Sequence, residues 1–282
     1  MANSFKSYVI SLKDSDRIKE FDLYAKQFDF KYTVFDGVNG NELSIKDKSE
    51  ISSIFCTYFC PNSVIGCARS HMLLWKVISE SEEDFAIVFE DDSILTKEFI
   101  DNYQKILLLM SNNKIEYLQL YSTEAFYNDK IDLQIDDIYS IKSTISSLST
   151  VGYIISKEGA SKLYTFFNDN KIKYHVDFII NFIHKKVNLK RAMVNPNIII
   201  NNGDLQSTMH NHNKKFLLKY LSKVLPREYY YMNFPVFSFF GKVDISFYII
   251  NMIIIIITLI TLRIRSVIIW IIIGLLISDI FH

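Results

Sequence analysis

Three consecutive carboxylates, Glu90, Asp91 and Asp92, follow five apolar residues, Phe85 to Phe89. An apolar run of Val, Ile and Phe reads as a strand buried on both faces. Ligands of open α/β sheets bind beyond the carboxyl ends of such strands, so these acids arrive where a site would be. Side chains alternate along a strand, which lets Glu90 and Asp92 share one side while Asp91 points elsewhere. Like charges this close repel, and they are tolerated either solvated at a turn or around a hard divalent cation. Asp177, ahead of the apolar run Phe178–Ile183, reads from its position as a helix N-cap. Gly66, Cys67, Ser70 and His71 fall in the first turns of a helix predicted over Val64–Ser79, and a helix N-terminus there offers N–H groups to an anion such as a diphosphate. Arg17 reads as a phosphate contact or as an ordinary surface arginine, and His210 and His212 as metal or phosphate contacts or solvated histidines. The spacing Cys56-x3-Cys60-x6-Cys67-x3-His71 fits no standard zinc knuckle, so three buried reduced thiols are expected.

The elements that must carry these residues follow from periodicity. Ser7–Leu12 reads as a first strand and Tyr32–Phe35 as a second. Between them, Asp16–Phe28 is a helix with Ile18, Phe21, Tyr24, Ala25 and Phe28 on one face. A β-α-β start of this kind implies a parallel pair with a crossover helix. Residues 41–63 read as polar and irregular, and 122–136 as a loop of a length that is often functional. Lys97–Met110 is a predicted helix, and Tyr117–Tyr121, Val151–Ser156 and Arg191–Val194 are predicted strands. Ser156 is placed to cap a helix over Lys157–Asn168, with Gly159 and Ala160 allowing close packing at its start.

The chain has 282 residues, room for one large α/β domain or two small ones. Its net charge is zero, but the distribution is uneven. Residues 211–243 hold six basic residues and one acid, leaving residues 1–210 mildly acidic, which argues against a nucleic-acid binder. Three cysteines without a signal-peptide core suggest a reducing compartment.

Several stretches resemble glycosyltransferase family 25, the bacterial lipopolysaccharide and lipo-oligosaccharide glycosyltransferases related to collagen galactosyltransferases. They are Tyr8–Leu12 with Arg17, Phe35–Gly40, Ile65–His71 with Trp75, Phe89–Asp92, Gly152–Ser156 with Gly159–Ala160, Val176–Asp177 and Gln206–Thr208. Their order over residues 5–210 carries the likeness. The resemblance implies an α/β domain of GT-A type, Rossmann-like with a mostly parallel central sheet, spanning residues 1–212. It implies an inverting transfer of a hexose, galactose foremost, from a UDP-sugar to a lipid-linked or lipo-oligosaccharide acceptor. It places Leu12, Arg17, Asp36, Gly66, Ser70, His71 and Asp91 near the donor. It gives a divalent metal, Mn²⁺ or Mg²⁺, to Asp92 and Glu90, and the role of base to Asp177. A metal-dependent phosphohydrolase would want Asp-x-Asp-x-Thr, which Glu90–Ile94 does not supply; a non-catalytic membrane-bound scaffold of glycan assembly is the other alternative.

The composition changes after residue 212. Residues 213–243 are basic and aromatic, with Tyr229–Tyr231, Phe234, Phe237, Phe239 and Phe240 fitting a headgroup interface. Ile245–Leu262 is an uncharged run of 18 residues, about 27 Å as a helix and close to the roughly 30 Å of a bilayer core. Residues 244–282 are therefore expected to be a membrane-associated helix or helices. They would hold the enzyme on the cytoplasmic face of a bacterial inner membrane, where nucleotide sugars are available.

Overall fold

The computed structural model describes residues 4–123, 125–202, 235–239, 243–262, 266 and 269–270. The chain divides into two units, one of Met1–Ser53 with Val64–Leu205, the other of Ile54–Ser63 with Gln206–His282.

The first unit is built on an eight-stranded sheet. Its strands are β1 (Phe5–Ser11), β2 (Thr33–Asp36), β3 (Phe85–Glu90), β5 (Tyr117–Gln119), β6 (Ala125–Gln134), β7 (Ser140–Ser147), β8 (Gly152–Ser156) and β9 (Arg191–Asn195). They lie in the order β2-β1-β3-β8-β5-β9-β7-β6. The pairs β1·β2, β1·β3 and β5·β9 are parallel, while β3·β8, β5·β8, β7·β9 and β6·β7 are antiparallel. Six of the eight strands therefore run one way, and β7 and β8 run against them. The short β4 (Ser93–Ile94) continues from β3 and pairs with β10 (Ile200–Asn201). This is a mixed α/β sheet with mostly parallel strand directions, as the alternation of strand and helix patterns predicts.

β3 is central because Phe85, Ala86, Ile87, Val88 and Phe89 are all buried. Phe89 packs against Phe21, Phe30 and Phe99 with ring centroids 5.5 to 6.0 Å apart. Aromatic groups this size dominate burial energetics. Phe21 comes from α1 (Arg17–Gln27) and Phe99 from α5 (Lys97–Asn112). Thr96 caps α5 by accepting from Phe99 N at 3.1 Å. As expected, Ser156 caps α6 (Lys157–Asn170), accepting from Gly159 N at 3.0 Å. A Cβ on Gly159 would stand 2.5 Å from the Glu116 carbonyl oxygen, so the close packing read from Gly159 and Ala160 is present.

Three expectations are corrected. Residues 41–63 hold α2 (Ile45–Ile51), α3 (Ile54–Phe59) and the start of α4 (Asn62–Glu80); α2 begins with a capping box in which the Ser44 hydroxyl accepts from Asp47 N and the Asp47 carboxylate from Ser44 N. The supposed loop at 122–136 is mostly the strand β6, paired with the unexpected β7. Cys56 and Cys60 form a disulfide with Cα atoms 4.5 Å apart, so only Cys67 is a free thiol.

In the second unit, β11 (Pro235–Phe239) and β12 (Val243–Ser246) form an antiparallel pair leading into α8 (Phe247–Thr261). The helix expected over Ile245–Leu262 therefore begins later, because Ile245 and Ser246 belong to β12, and it has 15 residues. Among the described residues no helix is long and apolar enough to cross a membrane. Most of 213–243, with Tyr229–Tyr231, Phe234 and Phe240 of the aromatic residues expected at an interface, and His210 and His212 lie outside the described residues, while Phe237 and Phe239 belong to β11.

Candidate functional site

Parallel strands deliver their carboxyl ends to one edge. Registers Ser11↔Asp36 and Ile10↔Glu90 put Asp36, the Ser11–Leu12 turn and Glu90–Asp92 side by side there. On the other flank, β8 pairs Gly152 with Phe89, which brings Thr150 and Val151 to the same edge. Three adjacent acids reach this edge because one strand ends among them, and each then finds different company.

Asp91 turns toward β1 and α1. Its Oδ2 accepts from Ser11 Oγ at 2.8 Å and Ser15 Oγ at 3.0 Å, and its Oδ1 lies 3.0 Å from Arg17 Nη2. The same nitrogen sits 2.6 Å from Asp92 Oδ2. Arg17, at the first position of α1, is thus shared by two carboxylates. Leu12 contributes backbone, its carbonyl accepting from Ser15 N at 3.0 Å to close the turn that presents Ser15 and Arg17. Asp92 Oδ1 is buried with no hydrogen-bond partner. Burial pushes the Asp92 carboxyl up to about 7, and the Glu90 charge adds to that push, while Arg17 opposes it.

Glu90 turns toward α4 and β8. Its Oε1 accepts from Thr150 Oγ1 at 2.6 Å and lies 3.3 Å from His71 Nε2. His71 Nδ1 is 2.9 Å from the Tyr153 hydroxyl, which accepts from Trp75 Nε1 at 3.0 Å. His71, Trp75 and Tyr153 are all buried. Burial alone would raise the Glu90 carboxyl, but its bond and charge interaction with His71, with the Thr150 bond, hold it below the ordinary range. Cys67 lies one turn before His71; Cys67, His71 and Glu90 offer ligand atoms all within 4.8 Å of one another.

Gly66 and Ser70 face the loop after β2. Ser70 Oγ accepts from Val38 N at 2.8 Å and donates to the Gly66 carbonyl at 2.7 Å. A Cβ on Gly66 would lie 2.5 Å from the Val38 carbonyl oxygen and 2.6 Å from Gly40 N. These two residues hold the Asp36–Gly40 loop against α4. Asp36 itself is exposed at the carboxyl end of β2.

Asp177 sits in the first turn of α7 (Val176–Ile183), whose N-cap is His175. The N-cap reading of Asp177 is therefore not met, although its Oδ1 accepts from Phe178 N at 2.7 Å. It is partly exposed yet ringed by protein atoms; that burial lifts its carboxyl above the ordinary range, and the Glu90 charge lifts it further. Asp177 also acts electrostatically on Cys67, so α7 brings it to the Glu90 side of the edge. What α7 rests on was not read from the sequence. Arg191, buried at the start of β9, donates to Asn181 Oδ1 at 2.8 Å and Gln119 Oε1 at 2.7 Å, and also to Ser147. An arginine opening a strand gives no signal of burial in one sequence, and Thr150 and Ser15 are equally silent.

The arrangement places buried and half-buried acids, with one arginine between two of them, at the carboxyl edge of a mixed α/β sheet. Relatives point the same way. Over 150 residues the chain is 29% identical to procollagen galactosyltransferase 1-A of Xenopus laevis, a match covering 50% of this chain and 24% of that protein. Over 106 residues it is 32% identical to human procollagen galactosyltransferase 2, covering 35% and 16%. The chain thus spans a quarter or less of the length of these galactosyltransferases. A solved glycosyltransferase involved in glycosylation of the major capsid of PBCV-1 aligns with a TM-score of 0.37 at 6% identity, covering 67% of this chain and 80% of that one, a likeness too low to carry an argument. The protein is glycosyltransferase-like, which is coarser than the family 25 expected from its motifs. The chain belongs to the family described as Poxvirus P35 protein, which it matches over residues 5–281. In keeping with that, it is 26% identical over 237 residues to the immunodominant envelope protein p35 of Fowlpox virus, covering 79% of this chain and 72% of that one.

Proposed function

We propose that the first unit is a GT-A type glycosyltransferase that moves a hexose, galactose foremost, from a UDP-sugar to a saccharide acceptor with inversion. The observation that carries this reading is the buried Asp92 Oδ1 with no partner, in a site where Arg17 is shared between two acids. An uncompensated buried carboxylate oxygen is costly, and the donor set there is all oxygen, which suits Mn²⁺ or Mg²⁺. Asp92 and Glu90 would hold the ion, which when bound supplies Lewis-acid stabilisation of a departing diphosphate.

The protein's own groups do the rest. Arg17 fixes Asp91 and Asp92, and Ser11 and Ser15 fix Asp91, so the acids are oriented before any donor arrives. Gly66 and Ser70 set the Asp36–Gly40 loop at the donor edge. Asp177, its carboxyl raised, is suited to take the acceptor hydroxyl proton. As that oxygen bonds to the anomeric carbon, the bond from carbon to diphosphate oxygen breaks on the opposite face and the proton passes to Asp177.

A second reading has one observation behind it. Arg17 already occupies Asp92 Oδ2, which would suit a chain that binds a nucleotide sugar without transferring it. Calorimetry of UDP-galactose and UDP-glucose with and without Mn²⁺, beside a transfer assay, separates the two. Metal-dependent binding with turnover supports the enzyme, binding without turnover supports the second reading, and no binding removes both.

The family membership removes the motive for a bacterial lipopolysaccharide acceptor and an inner-membrane setting. Lipid association remains part of the proposal, supported by Ile253, Ile254, Ile255, Ile257 and Ile260, all exposed on α8. The first unit would face the cytosol, where nucleotide sugars are made.

A further inference from the structure

We propose that Cys67, His71 and Glu90 form a site for a thiophilic divalent metal ion, Zn²⁺ by its chemistry, next to the hard-cation site proposed at Asp92 and sharing Glu90 with it. The three ligand atoms lie within 4.8 Å of one another. Cys67 and His71 are one turn apart on α4, so both side chains lean to the same side of the helix. Glu90 meets them from the end of β3.

Two details favour ligation over a simple hydrogen-bonded pair. The distance from His71 Nε2 to Glu90 Oε1 is 3.3 Å, long for a hydrogen bond between these groups. Two N or O ligands about 2.0–2.1 Å from a tetrahedral ion stand about 3.3 Å apart. The outer contacts are also in place. His71 Nδ1 meets Tyr153, which is itself held by Trp75, and Glu90 is held by Thr150. Partners of this kind fix ring and carboxylate orientation at metal sites.

The surroundings favour a cation. Burial pushes the Cys67 thiol well up, and the charges of Glu90, Asp177 and Asp92, which would stabilise a cation among them, add to that push, while Arg17 opposes it. A set of one sulfur, one imidazole nitrogen and one carboxylate oxygen selects zinc-like ions over magnesium. Binding displaces the Cys67 thiol proton to solvent, so affinity rises with pH. The proposal does not depend on sugar transfer.

The test is a Co²⁺ titration of the full-length, metal-depleted protein, read by absorption. One equivalent per chain is expected to give a thiolate-to-cobalt charge-transfer band that Zn²⁺ abolishes and excess Mg²⁺ does not. The band should vanish in Cys67→Ala while the circular dichroism of that variant matches wild type. It should persist in Asp92→Asn, and Tyr153→Phe should weaken Zn²⁺ binding roughly 10–100-fold. Absence of the band in wild type, or its survival in Cys67→Ala, overturns the proposal. Loss of the band in Asp92→Asn, with that variant folded by circular dichroism, would make Asp92 a ligand of the same ion and overturn the three-residue site. A failed transfer assay with an intact band would count against the proposed enzyme and leave the metal site standing.

Discussion

The two flanks of one strand end treat adjacent acids differently. Toward β1 and α1, Asp91 is tied by two hydroxyls and a guanidinium. Toward α4 and β8, Glu90 is tied by a threonine, and by a histidine held by a tyrosine that a tryptophan holds in turn. The first flank is compensated by a permanent charge. The second is organised by groups that need not carry one. A buried carboxylate tied to a permanent cation is costly to break and has little capacity left for a ligand. A carboxylate held by hydrogen bonds keeps its orientation and most of its charge. The first flank therefore reads as scaffold and the second as binding surface, with Asp92 between them.

The largest expected effect breaks the first flank. Asp91→Ala strips Ser11, Ser15 and Arg17 of their shared acceptor and should cost about 3–5 kcal/mol. Glu90→Gln keeps an acceptor for Thr150 and should cost about 1 kcal/mol. Urea denaturation of the two variants compares them, and equal losses would erase the distinction.

Asp177 sharpens the second flank through pH. Its folded carboxyl lies above its ordinary value. The stability it contributes is thus fully present below the unfolded pKa and lost as pH rises through the folded one. Asp177→Asn should match wild type in strong acid and equal or exceed it in stability at neutral pH, while transfer falls roughly 10²-fold. Thermal melts from acid to neutral pH check the first part. A variant less stable at every pH would make Asp177 a structural residue.

Gly66 tests the loop that both flanks border. Gly66→Ala drives a methyl against Val38 and Gly40 backbone and should cost about 1–3 kcal/mol. Donor affinity should fall with it, which calorimetry would show. The smallest effect lies away from both flanks, where Ser44→Ala opens the capping box of α2 at about 1 kcal/mol and should leave donor binding unchanged.

Much of this was legible in residue patterns. The continuous apolar run of β3 announces a central strand, and the acids that follow can only emerge at its carboxyl end. The 3.6-residue spacing of Phe21 and Ala25 gives α1, and Ser156 with Gly159 gives the start of α6. What stayed hidden has physical causes. The helices of 45–59 are only seven and six residues long, too short for periodicity to show, and the one usable signal was the Ser44-x-x-Asp47 box. Beside Ile141, β7 buries Ser140, Ser143, Thr144 and Ser147, so its buried positions are mostly polar and lack the apolar alternation that marks a strand. The company each acid keeps was beyond reach, because Arg17, Thr150 and Arg191 become neighbours of the acids or their supports only when β1, β8 and β9 are laid in one sheet.

The central claim is that the carboxyl edge of β2, β1 and β3 carries out sugar transfer. The most direct measurement is transfer of labelled galactose from UDP-galactose to saccharide acceptors by the full-length protein with Mn²⁺, run beside Asp92→Asn. Turnover by wild type is expected, lost in EDTA and in the variant, with the variant folded by circular dichroism. Undiminished turnover by Asp92→Asn, or in EDTA, would contradict it.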